Sequence, residues 1–227
     1  MVLSRSGRAV LWDLFRQDTA FLPSELELHP ETWKKHLKCS CQALSSCDVL
    51  IITVGLNEVF KWLPTGHYLH TTPRPQWVNP ALWEPEVLSV EQNIAFLSEG
   101  IAILRKHNPN VKIICSLSPV PLLKTFRRDE HVVAATAHSK AVLRVALEQL
   151  SKTITEFYYM PSFETVMYPG NGVEVWEEDG RHVTRPIVAK IMSLFERQFC
   201  HLVDSDMSGV ALSSSQPQGI DGVEGVA

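Results

Sequence analysis

Two short patterns in this 227-residue chain carry side chains suited to hydrolytic chemistry. The first is Gly55-Leu56-Asn57, which follows the apolar run DVLIITV of residues 48–54. An asparagine amide can donate to an oxyanion that develops during acyl transfer, and glycine allows close backbone approach and unusual dihedrals. The same residues also make an ordinary strand-to-loop turn, with Asn57 as its cap. The second pattern is Asp179-Gly180-Arg181-His182. Histidine can take a proton from an attacking group, while a nearby carboxylate orients the ring and stabilises the imidazolium. Read alone, Glu177-Glu178-Asp179-Gly180 is also a solvated surface turn.

Residues 48–54 read as a buried strand, and ligands in open α/β sheets sit at such carboxyl ends. A helix from Pro30 to about Leu44 precedes it, with Trp33, Leu37, Cys41 and Leu44 on one face. Leu63–Pro85 contains Pro64, Pro73, Pro75, Pro80 and Pro85, which exclude regular helix or central strand. Ser89 and Gln92 form a capping box before the stripe Val90, Ile94, Leu97, Ile101 and Leu104; Asn108-Pro109 ends that helix. Val111–Leu117 is a second strand, closing in Ser118-Pro119-Val120-Pro121. Ala134–Leu150 is a third helix with Leu143, Leu147 and Leu150 facing inward. Phe157–Met160 is a third strand, and a last helix carrying Ile187, Ile191, Leu194 and Phe195 begins near Thr184. The alternation predicts an α/β fold: a parallel sheet, covered on both faces, with right-handed crossovers. Only three strands are clear, against about 5–6 in an average sheet, and the chain opens on a helix-like segment, Ala9–Arg16. From Asp204 the composition loses periodicity, so residues 1–203 form the expected domain and 204–227 a disordered tail.

A net charge of −4 leaves no electrostatic footprint for nucleic acid or an anionic membrane. No apolar run approaches the ~20 residues that span a bilayer. The N-terminus lacks a long apolar segment, so no signal peptide and a cytoplasmic location are expected. Cys39, Cys41, Cys47, Cys115 and Cys200 are odd in number, as reduced thiols in an intracellular compartment would be.

Together the two patterns and their setting resemble the SGNH (GDSL-type) hydrolase superfamily and, more narrowly, its GSCFA family. The resemblance rests on DVLIITVGLNEVFKW, LSVEQNIAFLSEGIAILRKHNPNVKIICSLSPVPL, AHSKAVLRVALEQL, FYYMPSFETVM and EDGRHVTR, and covers about Asp13 to Phe199. It implies a three-layer α/β/α, flavodoxin-like fold and an esterase or acyl hydrolase acting on a small-molecule or carbohydrate ester. Within it, Gly55 and Asn57 match the oxyanion block, His182 the base and Asp179 its partner; Glu58 stands where an aspartate is often found. The nucleophile of such proteins follows the first strand, where Gly-Ser-Cys-Phe-Ala gives the family its name. This sequence has no such motif. Its nearest imitation, Leu3-Ser4-Arg5-Ser6-Gly7, has no apolar strand before it. The expected sheet therefore lacks its first strand, the chain reads as an N-terminally shortened form, and the nucleophile is unknown. A non-catalytic remnant or ligand-binding domain is the alternative. No metal or organic cofactor is implied.

Other residues carry weaker signals. Ser116 and Ser118 read as turn chemistry before Pro119, while Ser45, Ser46 and Cys47 fall at the opposite edge of the sheet. Cys39-x-Cys41 lacks zinc-site spacing and predicts one core-facing and one exposed thiol. Trp62, Trp77 and Trp83 can stack on a sugar ring, cover an acyl group or pack their loop. Trp62 and His67 are the candidate substrate contacts, with His70 close by in sequence. Ser139-Lys140, near a helix start, is expected to be solvated.

Overall fold

The computed structural model describes residues 2–5, 8–12, 20–21, 29–69, 72–73 and 79–200. Three short antiparallel strands come first: Val2–Arg5 (β1), Arg8–Trp12 (β2) and Ala20–Phe21 (β3). The helix-like reading of Ala9–Arg16 is thus corrected over residues 9–12, where Val10 and Leu11 pair with Leu3 and Val2. Branched and aromatic residues favour extended chain.

Helix α1 (His29–Ser46) leads into β4 (Val49–Val54). Then come β5 (Glu58–Trp62), β6 (Tyr68–Leu69), a 3-10 turn at Pro80–Leu82 and β7 (Trp83–Val87). Helix α2 (Val90–His107), β8 (Lys112–Leu117), α3 (Val132–Thr153), β9 (Phe157–Met160), α4 (Ser162–Met167) and α5 (Arg185–Phe199) complete the order. β4, β8 and β9 form a parallel sheet in that order. The α/β alternation read from the sequence is the observed one.

Register decides which side chains share a face. Ile52 pairs with Cys115, Val54 with Leu117, and Cys115 with Tyr159. This face packs on Ile94, Leu97, Ile101 and Leu104 of α2 and on Leu143, Leu147 and Leu150 of α3. On the opposite face the Tyr158 ring meets Phe199 of α5, with centroids 6.3 Å apart. Helices therefore flank both sides, and β8, in the middle, is buried from Ile113 to Leu117. That is why KIICSL reads as a continuous apolar run. The α2 capping box is formed as expected: Ser89 Oγ accepts from the Gln92 N–H, and the Gln92 side chain accepts from the Ser89 N–H.

A second small sheet, ordered β6-β5-β7 and antiparallel, is hidden by the prolines of the sequence. Pro85 sits in β7, an edge strand, where a missing N–H costs no ladder bond. Glu86 ties this sheet to α2, accepting from Tyr68 Oη at 2.9 Å and from Gln92 Nε2 at 2.8 Å. Burial, with the neighbouring Glu86 carboxylate, pushes the Tyr68 phenol up to about 12. The short α4 was also not expected.

The inward stripe expected of α1 is corrected: Leu37, Cys41 and Leu44 are exposed. Cys39 is exposed too, so neither thiol of the pair faces the core. Cys115 is buried, which pushes its thiol up to about 12. Among the described residues no helix is long and apolar enough to cross a membrane. The tail expected at 204–227 lies outside the described residues.

These placements predict unequal costs for two leucines. Leu147→Ala, at a fully buried site, is expected to lower unfolding free energy by about 2–5 kcal/mol. Leu44→Ala, on the exposed face of α1, should stay within about 0.5 kcal/mol. Urea titration of the two variants followed by circular dichroism checks both.

Candidate active site

The turn after β4 is held from below by α3. Asn57 is fully buried. Its Nδ2 donates to the Leu88 carbonyl at 2.9 Å, its Oδ1 accepts from Ser139 Oγ at 2.6 Å, and its own carbonyl accepts from the Leu88 N–H at 2.8 Å. The amide thus clasps the start of β5 to the end of β7. Beside it, Lys140 Nζ donates to three carbonyls: Gly55 at 2.9 Å, Ser118 at 2.6 Å and Val120 at 2.7 Å. One ammonium therefore joins the carboxyl ends of β4 and β8. The expectation of a solvated Ser139-Lys140 is corrected, since both are buried. They lie in the third turn of α3, and Lys140 stands three residues before Leu143 and seven before Leu147, on the same inward stripe. That spacing was the signal a sequence reading missed.

Gly55 does not need the freedom of glycine. It is not among the positive-φ residues, and an added Cβ would meet only Ser118 Cβ at 3.8 Å. Glu58, its side chain 4% exposed, accepts from Thr125 Oγ1 at 2.8 Å and Arg127 Nε at 3.1 Å. It pins the loop after β8 to the small sheet.

The Asp179 pattern forms the tip of a hairpin. Trp176 and Val183 bridge its arms, and the Glu177 N–H donates to the His182 carbonyl at 2.8 Å. Gly180 turns the chain at φ +63°, a conformation that favours glycine. Asp179 Oδ1 accepts from the N–H groups of Arg181 and His182, each at 2.9 Å, and Oδ2 pairs with His182 Nδ1. The His182 N–H and side chain, with the Arg181 N–H, hold the Asp179 carboxyl down at about 2. An ionised Oδ2 can only accept, so Nδ1 carries a proton, and in the neutral ring Nε2 offers a lone pair. Both side chains are exposed, His182 by 69% and Asp179 by 49%. Among the described residues no hydroxyl or thiol is hydrogen-bonded to Nε2.

Asp179 and His182 are thus brought together, as are Gly55 and Asn57 with α3. No hydrogen bond links the two groups among the described residues. Trp62 packs with Phe60 and Trp83 around Leu69 in the small sheet. Its backbone N–H donates to the His67 carbonyl at 2.7 Å, and His67 is exposed. His70 and Trp77 lie outside the described residues. Ser116 Oγ bonds Thr53 Oγ1 across the strands at 3.0 Å, while Ser118 Oγ accepts from the Val120 N–H in the expected turn.

A cavity of about 420 Å³ opens at the carboxyl end of β8. Pro119 and Pro121, on the loop that Lys140 holds, form one wall; Phe163 and Met167 of α4 form another. Trp176, at the base of the Asp179 hairpin, closes a side. Trp62, His67, Gly55, Asn57, Asp179 and His182 do not line it.

Lys140→Met leaves three carbonyls without their shared donor and is expected to destabilise the fold by about 3 kcal/mol, measured by urea titration. Burial pulls the Lys140 pKa from 10.5 down to about 8. Between those values the unfolded chain binds more protons at this group, so its contribution to stability rises with pH. Wild-type stability minus that of Lys140→Met should therefore climb from about pH 8 upward, and a flat difference would contradict the assignment.

Comparison with known proteins adds one match. The GSCFA family model matches residues 4–195. No curated protein and no solved structure matches. That match spans most of the chain, including the turn after β4 and the Asp179 hairpin: the protein belongs to the GSCFA family.

Proposed function

We propose that this domain is an SGNH-type ester hydrolase acting on a small-molecule or carbohydrate ester. The observation that carries the reading is the Asp179–His182 pair on the hairpin whose base, Trp176, borders the cavity at the sheet's carboxyl edge. An ionised carboxylate fixing Nδ1–H leaves Nε2 as the base. In hydrolysis Nε2 takes the proton of the attacking hydroxyl or water as its oxygen bonds the ester carbonyl carbon. The acyl–oxygen bond then breaks, and His182 returns the proton to the departing alkoxide. The attacking atom is not assigned to a residue. Gly55 and Asn57 act here as positioning residues. An oxyanion role for Asn57 requires its amide to leave Leu88 and face the cavity.

A second reading, a ligand-binding domain without catalysis, is favoured by His182 Nε2 having no hydroxyl or thiol partner among the described residues. Hydrolysis of p-nitrophenyl acetate decides between them. His182→Ala is expected to lose at least about a hundredfold in kcat/KM, the usual contribution of a general base. Both side chains are exposed, so stability should barely change. Equal rates in wild type and variant establish the second reading.

The pH dependence separates the two partners. A depressed carboxyl pKa contributes above the unfolded value of 3.8 and is lost only as pH falls through about 2. Asp179 therefore adds no step to a rate profile measured above pH 3.8. Asp179→Asn should lower the plateau rate without removing a limb of the profile.

A further inference from the structure

The cavity beside the hairpin has a composition that selects its occupant. Its floor is α3, where Val133, Ala137 and Ala141 recur every fourth residue and so share one helix face. The small side chains at 137 and 141 leave space that Phe163, Met167 and the prolines of the β8 loop enclose. Two cations touch this floor, and both are engaged elsewhere. Lys140 Nζ serves three carbonyls, while Arg144 donates from Nε to Glu164 at 2.7 Å and from Nη1 to Glu148 at 2.9 Å. The Arg144 guanidinium also lies over the Tyr159 ring, 4.3 Å from its centroid. Thr136 Oγ1 accepts from the Leu122 N–H. Among the described residues an anionic head group thus finds no uncommitted ammonium here, whereas an apolar chain finds a concave wall. Its volume of about 420 Å³ lies in the range of small-ligand sites, about 300–1,000 Å³.

We propose that this cavity binds the aliphatic acyl chain of a neutral ester, a chain several carbons longer than acetyl. Placing that chain in a reaction rests on the hydrolase reading above; its binding does not. The chain lies along the Val133–Ala137–Ala141 face, between the Pro119–Pro121 loop and α4, with its carbonyl end toward Trp176. Specificity then comes from chain length, because each buried methylene contributes about a fourfold gain in affinity.

Octanamide, a neutral and unreactive acyl analogue, and butanamide test this by titration calorimetry. Octanamide is expected to bind at least about tenfold more tightly, since four methylenes separate the two. Ala141→Phe and Ala137→Phe, at exposed helix positions, fill the cavity and should each weaken octanamide at least about tenfold while circular dichroism stays unchanged. His182→Ala should leave this binding intact. Octanamide binding no better than butanamide, or equally well to the filled variants, overturns the proposal. A dimer that forms with concentration and is abolished by Ala141→Phe, without a chain-length preference, assigns the face to a second copy and also overturns it. Chain-length-dependent binding in a protein with no esterase activity upholds the acyl site and removes only the hydrolase reading.

Discussion

One buried ammonium fixes the geometry on which the carboxyl edge of this sheet depends. Parallel strands end in loops whose carbonyls have lost their ladder partners, and burying such groups unpaired is costly. Lys140 answers three of them at once, at Gly55, Ser118 and Val120. The charge is tolerated because each proton of the ammonium meets an acceptor, although burial still pulls its pKa down to about 8. Lys140 is carried by α3, whose Leu143, Leu147 and Leu150 belong to the main core. The same helix that packs the sheet therefore sets the distance between the β4 and β8 loops.

The neighbouring contacts extend this arrangement outward. Ser139 and Asn57 link α3 to the small sheet through Leu88, and Glu58 with Arg127 draws in the loop that follows β8. That loop supplies Pro119 and Pro121 to the cavity. The Asp179 hairpin is built differently, from its own backbone bonds and a carboxylate that accepts two N–H groups as well as the imidazole. A rigid scaffold thus bears an exposed polar tip, a usual division of labour between elements and functional loops.

Much of this was legible in the sequence, and the exceptions have physical causes. KIICSL announces a buried parallel strand because both faces are covered, and Ser89 with Gln92 marks the start of α2 because the capping box is local; VLIITV reads the same way, yet β4 is buried on one face only, with Val49 and Ile51 exposed on the other. The small sheet was hidden because Pro85 occupies an edge strand, where the usual exclusion does not hold. α1 misleads in the other direction: helical spacing of Leu37, Cys41 and Leu44 shows that a face exists, not that another element covers it. Lys140 was read as solvated because charge is normally exposed, and the three carbonyls that justify its burial lie 20 or more residues away. Asp179 and His182 were found together because a turn of three residues needs no tertiary information. The cavity was out of reach, since it exists only where α3, α4 and the β8 loop converge.

The central claim is that His182 Nε2 moves a proton during ester hydrolysis. Chemical rescue tests it most directly: p-nitrophenyl acetate turnover by His182→Ala, measured with increasing imidazole and corrected for the reaction of imidazole alone. The variant is expected to show low activity that rises in proportion to imidazole, while wild-type turnover does not respond. Equal turnover by the two proteins, with no protein-dependent response to imidazole, would contradict it.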